Sequence, residues 1–594
     1  MDEVENLIAV ALGQQPADLV VRGAQVFNVF TGEFTKSDVL VIDGVVAAVL
    51  PFEGEAHFSA TQTVNAEGKW LVPGFVDAHL HIESSMVSAL EYCNLAALNG
   101  VTSIVADPHE ICNVLGVKGM RFMLYSTEHA CCRTFFMLPS CVPASSLVPH
   151  HVSLQTKDLD TFLAHPRVLG LGELMNYPGL LGRASEVVEK IEMIRFYNQQ
   201  TFAPMKGLVI DGHAPFVTGS KLQAYIAAGV HSDHECSTAA EAKERLAAGM
   251  CLMLRQGTGA KNLLDLVPAI TSHNEHLCVL CTDDRHINDL VEEGSINLMV
   301  RELVKDGRLS LPTILRMASY NAACMFSLAN IGAIAPGYMA DFALYPNLEE
   351  WKPEMVWLQG SLVAEKGKSA QVPAYLGDLE PLYNTVRLPE KMSQKNLIIE
   401  DKQCEVRVIE LVPGQIVTKE LHCTMPSQGK SLLADPENNI AKLAVFERHG
   451  GSDPKAGVGL GFVKGLGIKA GAIASTVAHD AHNLVVAGVN DADMFMAVKA
   501  LEKAGGGLAV CLNGQILSLL ELPMAGLFSD RPWANVYAKQ KELIASLPKL
   551  GLQEGQDPFM LLSFLCLEVI PKLKLTAYGL IDAEEFILTS LYVQ

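Results

Sequence analysis

The stretch that determines the fold reads Leu71-Val72-Pro73-Gly74-Phe75-Val76-Asp77-Ala78-His79-Leu80-His81, an apolar run that ends in two histidines. Side chains at positions i and i+2 of a β-strand leave the same face of the strand. We therefore expect His79 and His81 to converge at the strand's end, where they would hold a metal ion. Because two solvated histidines give the same pattern, the choice depends on residues further along the chain.

Composition limits the classes of protein that the chain can represent. Its 594 residues, 49% hydrophobic and 19% charged, predict a folded protein of several domains. The net charge of −21 argues against nucleic acid and anionic membranes as partners. An acidic start of the chain, and apolar runs shorter than the roughly 20 residues of a membrane helix, predict a cytoplasmic protein. Its 14 cysteines have no framework spacing and predict free thiols.

Eight strand-like runs alternate with helical stretches in the middle of the chain. They are Leu71–His81, Val101–Asp107, Thr134–Pro139, Arg167–Met175, Gly207–His213, Gly229–His234, Gly249–Arg255 and Leu277–Asp283. This alternation over about 250 residues is typical of a (β/α)8 barrel, whose active site lies at the carboxyl ends of its strands. We predict such a TIM-like barrel over residues 71–330.

Short strands broken by glycine lie on both sides of the barrel. Residues 1–70 and 331–390 share this pattern and are predicted to form one small β-sandwich domain from two separate segments. Residues 391–594 combine β-rich stretches with helical ones and are predicted to form a C-terminal α/β domain of usual size.

Metal-binding side chains stand at the predicted carboxyl ends of several barrel strands. The first strand gives His79 and His81, the fourth Glu173, the fifth His213, the sixth His234 followed by Glu235, and the eighth Asp283 and Asp284. Four histidines and two carboxylates on one rim suit one or two divalent cations. The spacing alone predicts a metal-assisted hydrolase and leaves open which aspartate of the last pair is a ligand.

The sequence offers further candidate site residues whose roles are less well defined. Asp107, His109 and Glu110 follow the second strand, where they line the pocket, bind an additional ion or order the loop around the site. Glu83 and Ser84 follow the histidine pair and are candidates for substrate contact. His479 and His482 of the C-terminal domain suggest either a polar cluster facing the barrel mouth or a plain hydrogen-bonded turn, and we favour the turn.

Several long motifs resemble one known family. They are residues 73–86 (PGFVDAHLHIESSM), 106–114 (ADPHEICNV), 172–179 (GELMNYPG), 281–285 (CTDDR) and 476–486 (TVAHDAHNLVV). These strings resemble the bacterial adenine deaminases of the amidohydrolase superfamily, and the likeness extends from about residue 15 nearly to the C-terminus. Many superfamily members bridge two metals with a carboxylated lysine, but residues 158–189 contain no lysine and Glu173 occupies the expected place.

The resemblance implies a binuclear enzyme of purine metabolism that converts adenine to hypoxanthine and ammonia through a metal-activated hydroxide. Its implied ligands are His79, His81, Glu173, His213, His234 and Asp283. Asp283 would also accept the proton of the attacking water, Glu235 would carry protons to the ring nitrogen and the leaving amine, and Asp284 would assist at a ring nitrogen. Two Mn²⁺ ions are favoured over Fe²⁺ or Zn²⁺, and a homo-oligomer over a monomer.

Two other functions remain open at this stage. An amidohydrolase acting on another aminated purine or pyrimidine, or on a cyclic amide, would use the same rim. A non-catalytic barrel retained for assembly is disfavoured because such proteins typically lose ligands, whereas this chain has all six.

Overall fold

The computed structural model describes residues 3–54, 58–200, 207–370, 377–413, 417–451, 453, 455–553 and 557–593. The first flank contains helix α1 (Glu3–Ala11) and strands β1 (Ala17–Asn28), β2 (Glu33–Ile42), β3 (Val45–Pro51), β4 (Ala60–Asn65) and β5 (Trp70–Pro73).

Among its described residues, the barrel region contains eight parallel strands, a further short strand (β14) and thirteen α-helices. Its strands are β6 (Phe75–His81), β7 (Val101–Ala106), β8 (Arg133–Leu138), β9 (Val168–Leu174), β10 (Val209–Gly212), β11 (Ser232–Asp233), β12 (Cys251–Arg255), β13 (Cys278–Cys281) and β14 (Asp283–Asp284). Its helices are α2 (Ala89–Leu98), α3 (His109–Leu115), α4 (Val117–Ser126), α5 (Thr156–Asp160), α6 (Tyr177–Leu181), α7 (Ser185–Gln200), α8 (Gly219–Ala227), α9 (Ala239–Ala247), α10 (Leu263–Leu266), α11 (Ile287–Glu292), α12 (Ile296–Asp306), α13 (Leu311–Met317) and α14 (Tyr320–Met325).

The second flank and the C-terminal domain follow. The flank contains β15 (Phe342–Tyr345), β16 (Met355–Leu358), β17 (Ser361–Glu365) and β18 (Lys368–Ser369). The C-terminal strands are β19 (Ile399–Glu400), β20 (Val406–Leu411), β21 (Thr418–Cys423), β22 (Ser427–Gln428), β23 (Ser431–Leu432), β24 (Ile440–Phe446), β25 (Val458–Lys464), β26 (Ala472–Ser475), β27 (Leu484–Gly488), β28 (Gly507–Leu512), β29 (Gln515–Glu521), β30 (Leu573–Thr576), β31 (Gly579–Asp582) and β32 (Ile587–Leu588). The C-terminal helices are α15 (Asp491–Ala504), α16 (Trp533–Ser546) and α17 (Pro558–Phe564).

The barrel is built from two parallel ladders that meet at two seams. Strands β6 to β10 pair in sequence order, and β11, β12 and β13 form the second ladder. The backbone N–H of His231 donates to the carbonyl of Ile210 at 2.8 Å and joins the ladders at one seam. At the other seam β14, which follows β13, pairs with β6 through Asp283↔Leu80 and Asp284↔His81. The predicted barrel is confirmed, and its closing seam places the two aspartates beside the two histidines.

Strands from the two flanks pair in one sheet. Strand β5 pairs with β1 from its own flank and with β15 from the other, so that the described flank strands belong to one nine-stranded sheet. Alternate residues of β1 enter apolar clusters on opposite faces of this sheet, with Val21 in one cluster and Val20 in the other.

The predicted strand bounds differ from the observed ones most at the first and sixth strands of the barrel. The run predicted as a single strand over Leu71–His81 is divided at Gly74, so that Trp70–Pro73 lies in the flank sheet and the barrel begins at Phe75. A Cβ at Gly74 would lie 2.1 Å from Thr102 Oγ1, so this passage requires glycine. The predicted strand over Gly229–His234 is reduced to Ser232–Asp233, and the Asp233 carboxylate accepts hydrogen bonds from the backbone N–H groups of Ala214 and Glu235.

The C-terminal domain packs over the barrel mouth. Its largest sheet has eight strands in the order β21-β20-β25-β24-β27-β26-β28-β29. The loop between β26 and β27 reaches the barrel, where Asn483 Nδ2 donates to the carbonyl of Pro149 at 3.2 Å. A second contact joins Ser529 N to the carbonyl of Met86 at 2.9 Å.

The cysteines and the helices were also subjects of sequence-based predictions. All 14 cysteines are free, and Cys278 and Cys281 are buried in different apolar clusters. Among the described residues, no helix combines the length and the hydropathy needed to cross a bilayer.

Candidate metal centre and active site

The two histidines of β6 are oriented by hydrogen bonds behind them. His79 Nδ1 lies 2.9 Å from Asp211 Oδ2, and His81 Nδ1 lies 3.0 Å from the carbonyl oxygen of Asp107. Both partners accept hydrogen bonds, so the Nδ1 atoms are donors and the Nε2 atoms carry the lone pairs. The two Nε2 atoms lie 3.2 Å apart and point at the same space. Such backing is typical of metal-binding histidines.

Glu173 at the end of β9 connects two pairs of imidazoles. Its Oε1 lies 3.2 Å from His81 Nε2, while its Oε2 lies 2.7 Å from His213 Nδ1 and 3.3 Å from His234 Nε2. The carboxylate is itself placed by its backbone, since Asp107 Oδ2 accepts a hydrogen bond from Glu173 N at 2.9 Å. One carboxylate therefore offers one oxygen to each of two imidazole groups.

The closing seam of the barrel separates the roles of its two aspartates. Asp283 Oδ1 lies 3.3 Å from His81 Nε2, whereas the Asp284 carboxylate accepts a hydrogen bond from Ser84 Oγ. Asp283 has a φ of 57°, a left-handed conformation that few residues adopt freely. This geometry favours Asp283 over Asp284 as the ligand, a choice that the sequence left open.

Glu235 lies beside the second imidazole pair, and Arg255 fixes it there. Glu235 Oε1 is 3.5 Å from His234 Nε2 and 3.7 Å from His213 Nδ1. The Arg255 guanidinium contacts both oxygens of Glu235, and its Nη1 also lies 3.1 Å from Asp283 Oδ2. Arg255 thus contacts the two carboxylates for which the family resemblance implies proton transfer.

The buried charges of this centre stabilise one another. Burial lowers the pKa of His234, but contact with Glu173 outweighs burial and raises that pKa to about 10. Burial alone would raise the pKa of Glu173, yet its contacts with His213, His234 and His81 hold it well below the ordinary value. A donor set of imidazoles and carboxylates fits divalent cations that accept mixed nitrogen and oxygen ligands.

The remaining predicted residues fall into two groups. His109, Glu110 and Asp284 line the same cavity as the ligand candidates. Glu83 is buried behind it, where its carboxylate accepts a hydrogen bond from Ile111 N at 3.2 Å. Burial and the nearby charge of Glu110 raise the pKa of Glu83 to about 8. Asp107 accepts a hydrogen bond from the backbone of Glu173, and Ser84 donates one to the Asp284 carboxylate.

The C-terminal domain contributes one wall of the cavity above the centre. The C-terminal residues on its wall are His479, Asp480, Phe564, Leu567 and Ile570. The favoured interpretation of the His479 segment as a plain turn was incomplete. The turn is present, with His482 N bonded to Ala478 O at 2.8 Å, but His479 Nδ1 also lies 2.8 Å from Glu110 Oε1 on the barrel.

Sequence reasoning missed three contributors to the site. Asp211 lies two residues before His213, so the alternation of a strand could have placed both on one face. Arg255 is a single charge at the end of the apolar run Cys251-Leu252-Met253-Leu254. A charged residue at the carboxyl end of a barrel strand could have been recognised as a candidate for the site. The approach of Phe564 and its neighbours has no local signal, because it depends on how two domains pack.

The chain is similar to known proteins over most of its length. A sequence profile described as the amidohydrolase family matches residues 70–363, and one described as the adenine deaminase C-terminal domain matches residues 415–587. "Adenine deaminase 2" of Carboxydothermus hydrogenoformans is 48% identical over 99% of this chain and 99% of its own length. The chain belongs to the adenine deaminase family.

The chain is also similar to a second named relative and to a solved structure. An adenine deaminase of Desulfatibacillum aliphaticivorans is 44% identical over 99% of both chains. The crystal structure of a β-aspartyl dipeptidase from Fervidobacterium islandicum AW-1 matches 60% of this chain and 99% of its own, with a TM-score of 0.45 and 18% identity. Family membership, together with the buried His/Glu/Asp groups, indicates that this adenine deaminase homologue binds a divalent metal.

Proposed function

We propose that this protein hydrolyses adenine to hypoxanthine and ammonia at the centre around Glu173. Relatives named adenine deaminase cover 99% of the chain, and the matched C-terminal profile carries the same name. The observation that carries the chemistry is the bridging position of Glu173, whose two oxygens engage His81 on one side and His213 and His234 on the other.

Two divalent cations would be held by six side chains. One site is formed by His79, His81 and Asp283, the other by His213 and His234, with Glu173 shared between them. When bound, the cations supply Lewis acidity that lets water act as a nucleophile near neutral pH. We favour Mn²⁺, with Fe²⁺ and Zn²⁺ as alternatives, since this mixed donor set accepts all three.

The protein's own groups would carry the protons. Asp283 Oδ2 accepts the proton of the attacking water, and Arg255 holds that carboxylate in place at 3.1 Å. Glu235, fixed by the same guanidinium, transfers protons to N1 of the ring and then to the amine at C6. In the overall reaction water adds its oxygen at C6, the C–N bond breaks and ammonia leaves. Asp284 on the cavity wall would contact a ring nitrogen, and Glu83, Ser84, Asp107, His109 and Glu110 would shape the pocket around the base.

The decisive assay follows ammonia and hypoxanthine formation from adenine by metal-loaded enzyme. We expect equal amounts of both products, and no ammonia from adenine would reject the proposal. A panel of aminated purines and pyrimidines and of cyclic amides such as hydantoins tests the alternative substrates. Faster turnover of any panel member than of adenine would reassign the substrate within the same hydrolytic mechanism.

We also propose that the enzyme is a cytoplasmic homo-oligomer with the barrel over residues 71–330 as its catalytic domain. Its 14 free cysteines suit a reducing compartment. Val4, Ile8 and Leu12, spaced four residues apart along and just after α1, are 64%, 54% and 64% exposed and offer an apolar surface for self-association. Light scattering of the purified protein, with Ile8→Asp as a variant, tests the oligomer.

A further inference from the structure

The loop between β26 and β27 places one imidazole of the C-terminal domain on the wall of the catalytic cavity. His479 is 4% exposed and stacks on Phe564, with ring centroids 4.8 Å apart and an interplanar angle of 26°. Both side chains line the cavity that also contains Glu235 and Asp283. His479 therefore faces the same cavity as the residues proposed to carry out the reaction.

One nitrogen of His479 is already engaged by the barrel. Its Nδ1 lies 2.8 Å from Oε1 of Glu110, a residue that is fully buried. This ion-pair contact occupies the Nδ1 side of the imidazole, so Nε2 is the nitrogen left for a ligand. Burial lowers the pKa of His479, but Glu110 and Asp284 outweigh it and raise the pKa to about 9. At neutral pH Nε2 therefore also carries a proton and acts as a donor.

The neighbouring His482 has a different environment. Its Nδ1 accepts a hydrogen bond from Ala478 N at 3.2 Å, and burial lowers its pKa to about 3. The neutral imidazole of His482 thus stabilises the turn, because its acceptor nitrogen Nδ1 is already bonded to a backbone N–H. His482 is also not among the residues that line the cavity, which makes it a matched control for His479.

The surroundings of His479 suit a flat heterocycle. Phe564, Leu567 and Ile570 line the cavity next to it and offer apolar surface to the faces of a ring. In the usual tautomer of free adenine N1, N3 and N7 are hydrogen-bond acceptors and N9 carries a proton, so a buried donor on this wall matches N3 or N7. In the proposed reaction N1 receives a proton from Glu235. A donor on the C-terminal wall would therefore bond to another ring nitrogen of the base.

We propose that His479 is a positioning residue that donates through Nε2 to a purine ring nitrogen other than N1. The barrel would then carry out the chemistry, and the C-terminal domain would identify the base. This inference rests on the proposed function, because it requires a purine in the cavity.

The test combines His479→Phe, which keeps the ring stack but removes the donor, with purine analogues that each lack one ring nitrogen. We measure kcat and KM for adenine, and inhibition constants for 3-deazaadenine and 7-deazaadenine. His479→Phe should weaken adenine binding by about 10- to 100-fold, mainly through KM. For the one analogue that lacks the bonded nitrogen, wild type and variant should bind alike. His479→Gln, which keeps an N–H donor, should recover part of the loss, and this variant also serves if His479→Phe does not fold.

Two controls accompany this test. The metal content of His479→Phe should equal that of wild type, and His482→Phe should bind adenine and both analogues as wild type does. Equal weakening of adenine and both analogues, or an unchanged KM in His479→Phe, would overturn the inference while leaving the deaminase activity established. Wild-type enzyme that releases no ammonia from adenine would instead overturn the proposed function and this inference with it.

Discussion

Two buried clusters of the same residue types lie near each other in this molecule. We call them the inner cluster (His79, His81, Glu173, His213, His234 and Asp283) and the outer cluster (Glu110, His479 and His482). Sets of three side chains in each bring their ligand atoms within 4.8 Å of one another. The inner cluster is built from strand ends of the barrel, whereas the outer cluster joins the barrel to the C-terminal domain.

The difference lies in what stands behind each imidazole. In the inner cluster, Asp211 and the carbonyl of Asp107 occupy the rear nitrogens of His79 and His81 and direct the lone pairs inward. In the outer cluster the lone pair of His482 Nδ1 already accepts a backbone N–H. Composition and proximity are therefore insufficient to identify a metal site, because the orientation of the lone pairs depends on the groups behind the ligands.

The largest expected effect comes from removing an inner ligand. His79→Ala should lose bound metal and nearly all turnover, because Asp283 and His81 would be left as an incomplete site. Elemental analysis of the purified variant measures the metal content. Full occupancy of both sites in this variant would contradict the assignment of His79.

Removing the proton carrier should separate metal binding from chemistry. Glu235→Gln is expected to keep its metal and to lower turnover by about 10²- to 10⁴-fold, the usual effect of losing a general acid or base. Steady-state kinetics with elemental analysis of the same sample measures both quantities. Turnover at the wild-type rate would remove Glu235 from the mechanism.

The group behind a ligand should have a smaller effect than the ligand itself. Asp211→Asn keeps the size of the side chain but weakens the hold on His79 Nδ1, and should lower metal affinity by about 10- to 100-fold. Titration of metal-free protein in competition with a chelator measures this affinity. An unchanged affinity would show that His79 needs no such support.

The smallest effect on the metal centre is expected from the outer cluster. His482→Phe removes the acceptor for the Ala478 N–H and should cost about 1–3 kcal/mol of unfolding free energy, with metal content and turnover close to wild type. Urea unfolding measures the stability. Loss of metal in His482→Phe would mean that the outer cluster also binds an ion.

The sequence predicted the strand ends well and the contacts between distant segments poorly. The inner cluster was predictable because barrel strands deliver their last residues to one rim, so that the position of Glu173 or His213 follows from where its strand ends. Arg255 was missed although it ends a strand, since nothing in its own run indicates that it contacts Glu235. His479 was underestimated because its partner, Glu110, is more than 300 residues away in the chain, and local patterns carry no information about such pairs.

The pairing of β5 with β15 has a consequence for how the protein is made. Val72 is hydrogen-bonded in register with Ala343, so the whole barrel is inserted between two neighbouring strands of one sheet. At roughly 5–20 residues per second, a ribosome needs on the order of 10–50 seconds to synthesise the intervening chain. During that interval β5 has an unpaired edge, which is a site for association with other chains. Nascent protein is thus expected to be most prone to aggregation before residue 345 has left the ribosome.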